Sequence, residues 1–233
     1  MRTTLAASML NAISRNEKQG TLEGRLFEVA SIYIPESLPL TSYPDERKVL
    51  CVGTFGNNES FFTMKGIANT IAESMDIEFT YEPVQAVKVL CEGTEIGYFG
   101  KAAYDIQNEL SMRTSAYIME LDLKELSRWY GKKRTFQPIS KFQEEKRDLA
   151  FVMDKNISCG DVENCIREAN KYVKEIRLFD VYEGGQIPEG KKSMAFTVTF
   201  APKEEAFDFE KVQKFVEKIC KKLQNEFNIE LRG

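Results

Sequence analysis

The apolar positions of this chain change period several times, and each change marks an element. Leu5, Met9, Ala12 and Ile13 recur at three- and four-residue steps, which predicts a helix running to Asn16 with Thr3 or Thr4 as its cap. Residues 25–34 and 49–55 read as extended. Met64, Ile67, Ala68, Ile71 and Met75 return to helical spacing, and 84–91, 95–99 and 116–123 read as strands, the first two joined by a turn around Glu92-Gly93-Thr94. A further helix is expected over 123–130. Many strands with few helices between them predict an antiparallel sheet with helices on one face.

The polar run Gly131-Lys132-Lys133-Arg134-Thr135, just ahead of Pro138, is the expected boundary between two domains, 1–135 and 136–233. Its cations suit either a phosphate contact or a solvated linker.

The second half has a cleaner order. A strand at 147–153 is followed by Ser158 and Asp161, which cap a helix whose buried face holds Val162, Cys165, Ile166 and Ala169. Residues 176–182 read as extended, and Gly184-Gly185, Pro188 and Gly190 make a loop. Residues 193–200 alternate, with Met194, Phe196, Val198 and Phe200 on one face. Asp208 opens a long helix with Val212, Phe215, Val216, Ile219 and Leu223 inward, and 227–231 reads as a closing strand. The order β-α-β-β-α-β is ferredoxin-like. That fold serves RNA platforms, metal chaperones, ligand sensors and dimer interfaces alike, so the order names no function.

Composition narrows the chemistry. Hydrophobic residues make up 42% and charged residues 29%, an ordinary globular balance. No apolar run approaches the roughly 18 residues of a membrane helix. Met1-Arg2-Thr3-Thr4-Leu5 lacks the core and cleavage site of a secretory signal, so the expected compartment is the cytoplasm. Five cysteines, an odd number without a Cys-x-x-Cys pair, suggest plain thiols rather than disulfides or a zinc site. The chain has no histidine, which removes the commonest general base and metal ligand and weakens a hydrolase or metalloenzyme reading. Carboxylates, lysine or a bound metal remain as routes to catalysis, and no catalytic or metal-binding residue is singled out. The net charge of −4 gives no field that attracts nucleic acid; residues 1–135 carry 15 basic and 18 acidic side chains, and 136–233 carry 17 and 18. Any RNA contact has to be a local patch.

Several segments carry a family resemblance. Phe136-Gln137-Pro138-Ile139-Ser140-Lys141-Phe142, Lys146-Arg147-Asp148-Leu149-Ala150, Leu178-Phe179-Asp180-Val181-Tyr182-Glu183-Gly184, Gly190-Lys191-Lys192-Ser193 and Leu231-Arg232-Gly233 resemble the ferredoxin-fold anticodon-binding domain. That domain ends the β subunit of bacterial phenylalanyl-tRNA synthetases. In the first half, Met1-Arg2-Thr3-Thr4-Leu5, Arg25-Leu26-Phe27-Glu28-Val29, Phe62-Thr63-Met64-Lys65-Gly66 and Gly97-Tyr98-Phe99-Gly100 resemble the catalytic-like module of the same subunit. The chain departs from the family pattern at Gln143, at Ala206-Phe207-Asp208-Phe209 and at Gly100-Lys101-Ala102.

The resemblance implies an α+β chain, with a class II synthetase catalytic-like antiparallel sheet domain followed by a ferredoxin-like βαββαβ anticodon-binding domain. It implies a non-catalytic role: scaffolding a catalytic α subunit in a heterotetramer of two α and two β subunits, and holding the anticodon region of tRNA(Phe), with no membrane partner. ATP and magnesium then belong to the α subunit, and no cofactor is expected on this chain. Because the family's β subunit carries further upstream modules, the chain is expected to be a piece of a longer protein, with Met1 internal to it. The alternatives are an assembly fragment without its own RNA binding, and a ferredoxin-like ligand-binding module.

The candidate RNA-binding residues are Arg147, Tyr182, Lys191, Lys192 and Arg232. Arg147 is either a phosphate or base contact or one half of a strand-end ion pair. Tyr182, expected on one strand face with Ile176, Leu178 and Asp180, offers a ring for base stacking or for packing. Phe179 is expected opposite, in the core. Lys191 and Lys192 follow a glycine loop and suit phosphate, and Arg232 either contacts RNA or pairs with the sheet. Arg25 and Glu28 resemble an Arg…Glu pair that class II enzymes use on ATP, with a structural or interfacial role expected here. Gly53-x-x-Gly56 and Gly97-x-x-Gly100 lack the Lys-Ser/Thr ending of a phosphate loop.

Overall fold

The alternating segments form two antiparallel sheets in the computed structural model, which describes residues 1–83, 85–131, 141–202 and 205–232. The chain divides into two units, Met1–Arg134 and Thr135–Gly233. Lys132, Lys133, Arg134, the expected boundary at 135, the segment Phe136-Gln137-Pro138-Ile139-Ser140, Val84 and Gly233 lie outside the described residues.

In the first unit, α1 (Ala6–Lys18) precedes β1 (Gly24–Ile34) and β2 (Asp45–Phe55), then α2 (Phe61–Met75) leads to β3 (Phe79–Pro83), β4 (Val87–Cys91) and β5 (Thr94–Lys101). Helix α3 (Tyr104–Glu109), β6 (Ala116–Asp122) and α4 (Leu123–Ser127) complete it. The strand order is β1-β2-β6-β5-β4-β3, all antiparallel. Two elements go beyond the expectation: β3, and the short α3. The strand expected from 84 starts at Val87, and the helix expected to reach 130 stops at Ser127.

The helices are not confined to one face as expected: both faces of β2 and β6 carry apolar side chains, so α1 packs on one side of the sheet and α2 on the other. Leu5, Met9, Leu10 and Ile13 of the α1 region pack with Val49, Cys51, Phe55, Ala116 and Ile118. Gly53 lets α1 sit this close, since a Cβ there would meet the Met9 side chain at 2.6 Å. Met64, Ala68 and Ala72 of α2 pack with Val52, Val89, Phe99, Met119 and Leu121. The sequence around Ser60 starts α2 locally: its hydroxyl accepts from the Thr63 amide at 3.3 Å and Thr63 answers with its own side chain.

Helix α1 is capped differently from the expectation. The Thr4 hydroxyl does accept from the Ala6 amide at 3.0 Å, but the principal cap comes from β6, more than a hundred residues on. One Glu120 carboxylate oxygen accepts from the Leu5 amide at 2.6 Å, the Ala6 amide at 2.9 Å and the Thr4 hydroxyl at 2.8 Å. The Tyr98 hydroxyl donates to the other oxygen at 2.6 Å. A carboxylate at a helix N-terminus also meets the positive end of the helix dipole.

The second unit contains β7 (Glu145–Asp154), α5 (Cys159–Ala169), β8 (Val173–Tyr182), β9 (Lys191–Phe200), α6 (Phe209–Phe227) and β10 (Glu230–Leu231), in the expected order. The sheet runs β10-β7-β9-β8. Ser158 and Asp208 cap the two helices, accepting from the Asp161 and Lys211 amides. Leu149, Phe151, Met153, Met194, Phe196, Val198 and Phe200 meet Val162, Ile166, Val212, Ile219 and Leu223 in one core. Both helices therefore lie on one face. The last strand is shorter than expected because Phe227 still belongs to α6.

Among the described residues no helix is long and apolar enough to cross a membrane. Cys51, Cys165 and Cys220 are free thiols, and Cys51, Cys91 and Cys165 are buried.

Candidate nucleic-acid interface

The outer face of the second sheet, away from α5 and α6, is set by register. Asp148 pairs with Thr197, Ala150 with Ala195, Val152 with Ser193 and Asp154 with Lys191. On the other side of β9, Arg177 faces Thr197, Asp180 faces Ala195 and Tyr182 faces Ser193. These side chains share the outer face because strand residues alternate and directly paired residues point the same way.

The face assignment in β8 corrects the expectation. Ile176 and Leu178 pair with the core residues Val198 and Phe196, yet Asp180 and Tyr182 pair with the outer residues Ala195 and Ser193. A bulge between Leu178 and Asp180 inserts Phe179, which reverses the alternation beyond it. Phe179, expected in the core, is 54% exposed as the extra residue of that bulge. Tyr182 is thereby carried out of the helix side and onto the outer face.

Tyr182 and Arg232 meet there. β10 joins β7 through Glu230 opposite Val152, and the Arg232 amide donates to the Ala150 carbonyl at 2.7 Å, which puts Arg232 beside β7 on the outer side. Its guanidinium carbon lies 5.8 Å from the centre of the Tyr182 ring, within cation–π range. It also donates to the Gln186 side-chain oxygen at 3.0 Å. The strands between them contribute short side chains, Ala150, Ala195 and Ser193. The Tyr182 ring folds against Gly184: a Cβ there would lie 2.3 Å from the tyrosine oxygen, so any side chain at this position would displace the ring.

The remaining candidates stand elsewhere. Lys191, opposite Asp154, is on the outer face at its rim. Lys192, opposite Met153, is on the helix side, where its charge helps hold the Glu183 carboxyl below its usual range; the larger cause is the Lys155 ammonium 2.7 Å away. Arg147, opposite Val198, is also on the helix side. It pairs with Glu145 at 3.0 Å, donates to the Lys146 carbonyl at 2.8 Å and lies 6.0 Å from the Phe209 ring centre. The structure thus brings together Tyr182 and Arg232, leaves Lys191 at the rim and turns Arg147 and Lys192 the other way. Gln186 and the floor of small residues escape a reading of the sequence. The glycine beside Tyr182 is the one hint it offers.

The outer face is mixed in charge. Lys146, Arg177, Lys191 and Arg232 share it with Asp148, Asp154, Glu175, Asp180 and Glu230, so no positive field spreads across it. Asp148 accepts from the Thr197 hydroxyl at 2.6 Å. Such a face is suited to stacking and hydrogen bonding with local cationic help, not to indiscriminate backbone attraction.

In the first unit, Arg25 and Glu28 do not meet each other. They occupy opposite faces of β1 and pair with other residues, Arg25 with Glu59 at 3.0 Å and Glu28 with Arg2 at 3.0 Å. Among the described residues no group of three or more histidine, cysteine or acidic side chains is placed to hold a metal ion.

Two family models match the chain. "Phenylalanyl tRNA synthetase beta chain CLM domain" covers residues 1–123, and "Ferredoxin-fold anticodon binding domain" covers residues 140–232. The phenylalanine–tRNA ligase beta subunit of Clostridium tetani is 32% identical over the whole of this chain and 30% of its own length. Those of Clostridium acetobutylicum and Bacillus subtilis are 28% and 29% identical, again over all of this chain and 30% and 31% of theirs. The chain therefore spans about a third of the length of the curated relatives it matches. The α+β architecture is the one the resemblance implied. With the first model covering more than half of its residues, the chain belongs to the phenylalanyl-tRNA synthetase beta chain family.

Proposed function

We propose that this chain is the C-terminal part of a phenylalanine–tRNA ligase β subunit, and that the outer face of its second unit holds the anticodon region of tRNA(Phe). The observation that carries this reading is the convergence of Tyr182 and Arg232 over a floor of short side chains. An unpaired base stacks on the Tyr182 ring, Arg232 turns to a phosphate or to the base edge, and Lys191 meets backbone phosphate at the rim. Stacking on an aromatic side chain contributes about 1–3 kcal/mol per base. Arg147 and Lys192, on the helix side, are secondary to these three.

The first unit serves as scaffold for a catalytic α subunit, in a cytoplasmic heterotetramer of two α and two β subunits. ATP and magnesium act at the α subunit, where phenylalanine is joined to tRNA. The filled partnerships of Arg25 and Glu28 support placing that chemistry on another chain.

The test is a titration of the whole chain with a tRNA(Phe) anticodon stem-loop and with a scrambled loop, at about 50 mM and about 200 mM salt. Preference for the cognate loop that persists at the higher salt, and a roughly tenfold loss in Tyr182→Ala, is the expected result. Equal binding to both loops that salt abolishes would instead favour a scaffold without its own RNA recognition, a reading the mixed charge of the outer face supports.

A further inference from the structure

The two glycine segments of the first unit play no part in the reading above, yet they end at the same place. Asn57 follows Gly56 at the end of β2, Lys101 follows Gly100 at the end of β5, and both line one hollow of about 440 Å3. Helix α3 and the 110–115 loop supply the other walls, with Tyr104, Asn108, Arg113 and Thr114.

The walls are held by buried polar side chains. Glu17, 1% exposed, accepts from the Arg113 amide at 2.8 Å, the Thr114 amide at 3.0 Å and the Thr114 hydroxyl at 2.6 Å. Gln107 donates to the Ala102 carbonyl at 2.6 Å and accepts from the Ala116 amide at 3.3 Å. Ser14 donates to the Leu110 carbonyl at 2.8 Å. Three of the eight buried polar residues among those described thus fix this one rim, which preorganises whatever it presents.

What it presents is cationic and aromatic. Lys101 and Arg113 are the charged residues of the lining, no carboxylate lines it, and neither has an ion-pair partner among the described residues. The Glu17 carboxylate is turned to the amides of the loop and is filled by three donors. Tyr104 stands 79% exposed at the rim. The hollow is larger than a lone phosphate needs, and the Asn57 and Asn108 carboxamides offer both donors and acceptors.

We propose that this hollow is a second RNA-contact site, taking one nucleotide with its phosphate between Lys101 and Arg113 and its base on Tyr104. The proposal rests on the reading that the chain works on tRNA, but it concerns a region other than the anticodon face. A free nucleotide shares the same chemistry, so the test separates the two sources.

The whole chain is titrated with three probes: a full-length tRNA(Phe) transcript, its anticodon stem-loop, and AMP. In Lys101→Ala/Arg113→Ala the salt slope of tRNA binding is expected to fall by about 1.5, with affinity down roughly tenfold at low salt. Stem-loop binding stays as in the native chain. Tyr104→Ala weakens tRNA by about tenfold without changing the slope. The charge-keeping Lys101→Arg/Arg113→Lys variant retains the native slope, which separates lost charge from lost fold. AMP binding that disappears in the double alanine variant assigns the site to a free nucleotide, and loss confined to tRNA assigns it to the RNA chain. An unchanged tRNA slope with unchanged AMP binding overturns the proposal, and so does a native chain that binds neither tRNA nor AMP. Failure of the stem-loop alone overturns the anticodon reading and leaves this one to be decided by the intact tRNA.

Discussion

The two sheets are both antiparallel, but they use their faces differently. In the first unit α1 packs over β1, β2 and β6 on one side, while α2 packs on the other. In the second unit α5 and α6 share one face and leave the other to solvent, with Asp148, Arg177 and Asp180 exposed on it. The polar groups follow this difference. Glu120, 6% exposed, is filled by four donors and fixes a helix. Tyr182, 40% exposed, touches a glycine and a guanidinium that can move away. A buried carboxylate with its lone pairs occupied is structural; an outer aromatic ring over small neighbours can take a ligand.

The comparison is broken most severely by removing the core that holds the open sheet. Phe196, fully buried between β9 and the helices, should cost about 3–5 kcal/mol as Phe196→Ala, read as a fall in the urea midpoint of the second unit. Next comes Glu120→Ala, which leaves the Leu5 amide without an acceptor in a buried site and the Ala6 amide with the Thr4 hydroxyl alone. About 3 kcal/mol of local stability is expected to go, seen as faster amide exchange through α1 while the second unit is unaffected.

A smaller change sharpens the contrast on the outer face. Gly184→Ala forces Tyr182 from its seat, so stem-loop affinity should fall towards that of Tyr182→Ala, while the melting temperature shifts little. Retained affinity would show that the seat of the ring is immaterial to binding. The least effect concerns the buried thiols. Burial is the main cause that pushes Cys51 and Cys165 up to about 12 from an ordinary value of 9.0. The unfolded chain ionises them first, so their contribution is complete below about pH 9 and is lost as pH rises towards about 12. Melting temperature should decline as pH rises from about 9 towards about 12, less steeply in Cys51→Ala.

Much of the second unit is legible in its residues alone. The βαββαβ order, the Ser158 and Asp208 caps and the inward set Met194, Phe196, Val198 and Phe200 follow from local periodicity, and local rules govern them. The family segments point to both units, and the family models match both. The site is half legible. Tyr182 and Arg232 stand out as candidates, but as separate residues with open roles, 50 positions apart in the chain.

What the sequence by itself determined is which residues can form strands, helices and caps, because these depend on neighbours a few positions away. What only the tertiary structure decided is which side chains meet. The bulge at Phe179 turned Tyr182 to the outer face, the pairing of β10 with β7 brought Arg232 to it, and β6 delivered Glu120 to the start of α1. Each depends on a register or a packing fixed by the whole sheet, and a shift of one residue would have sent the same side chain to the opposite face.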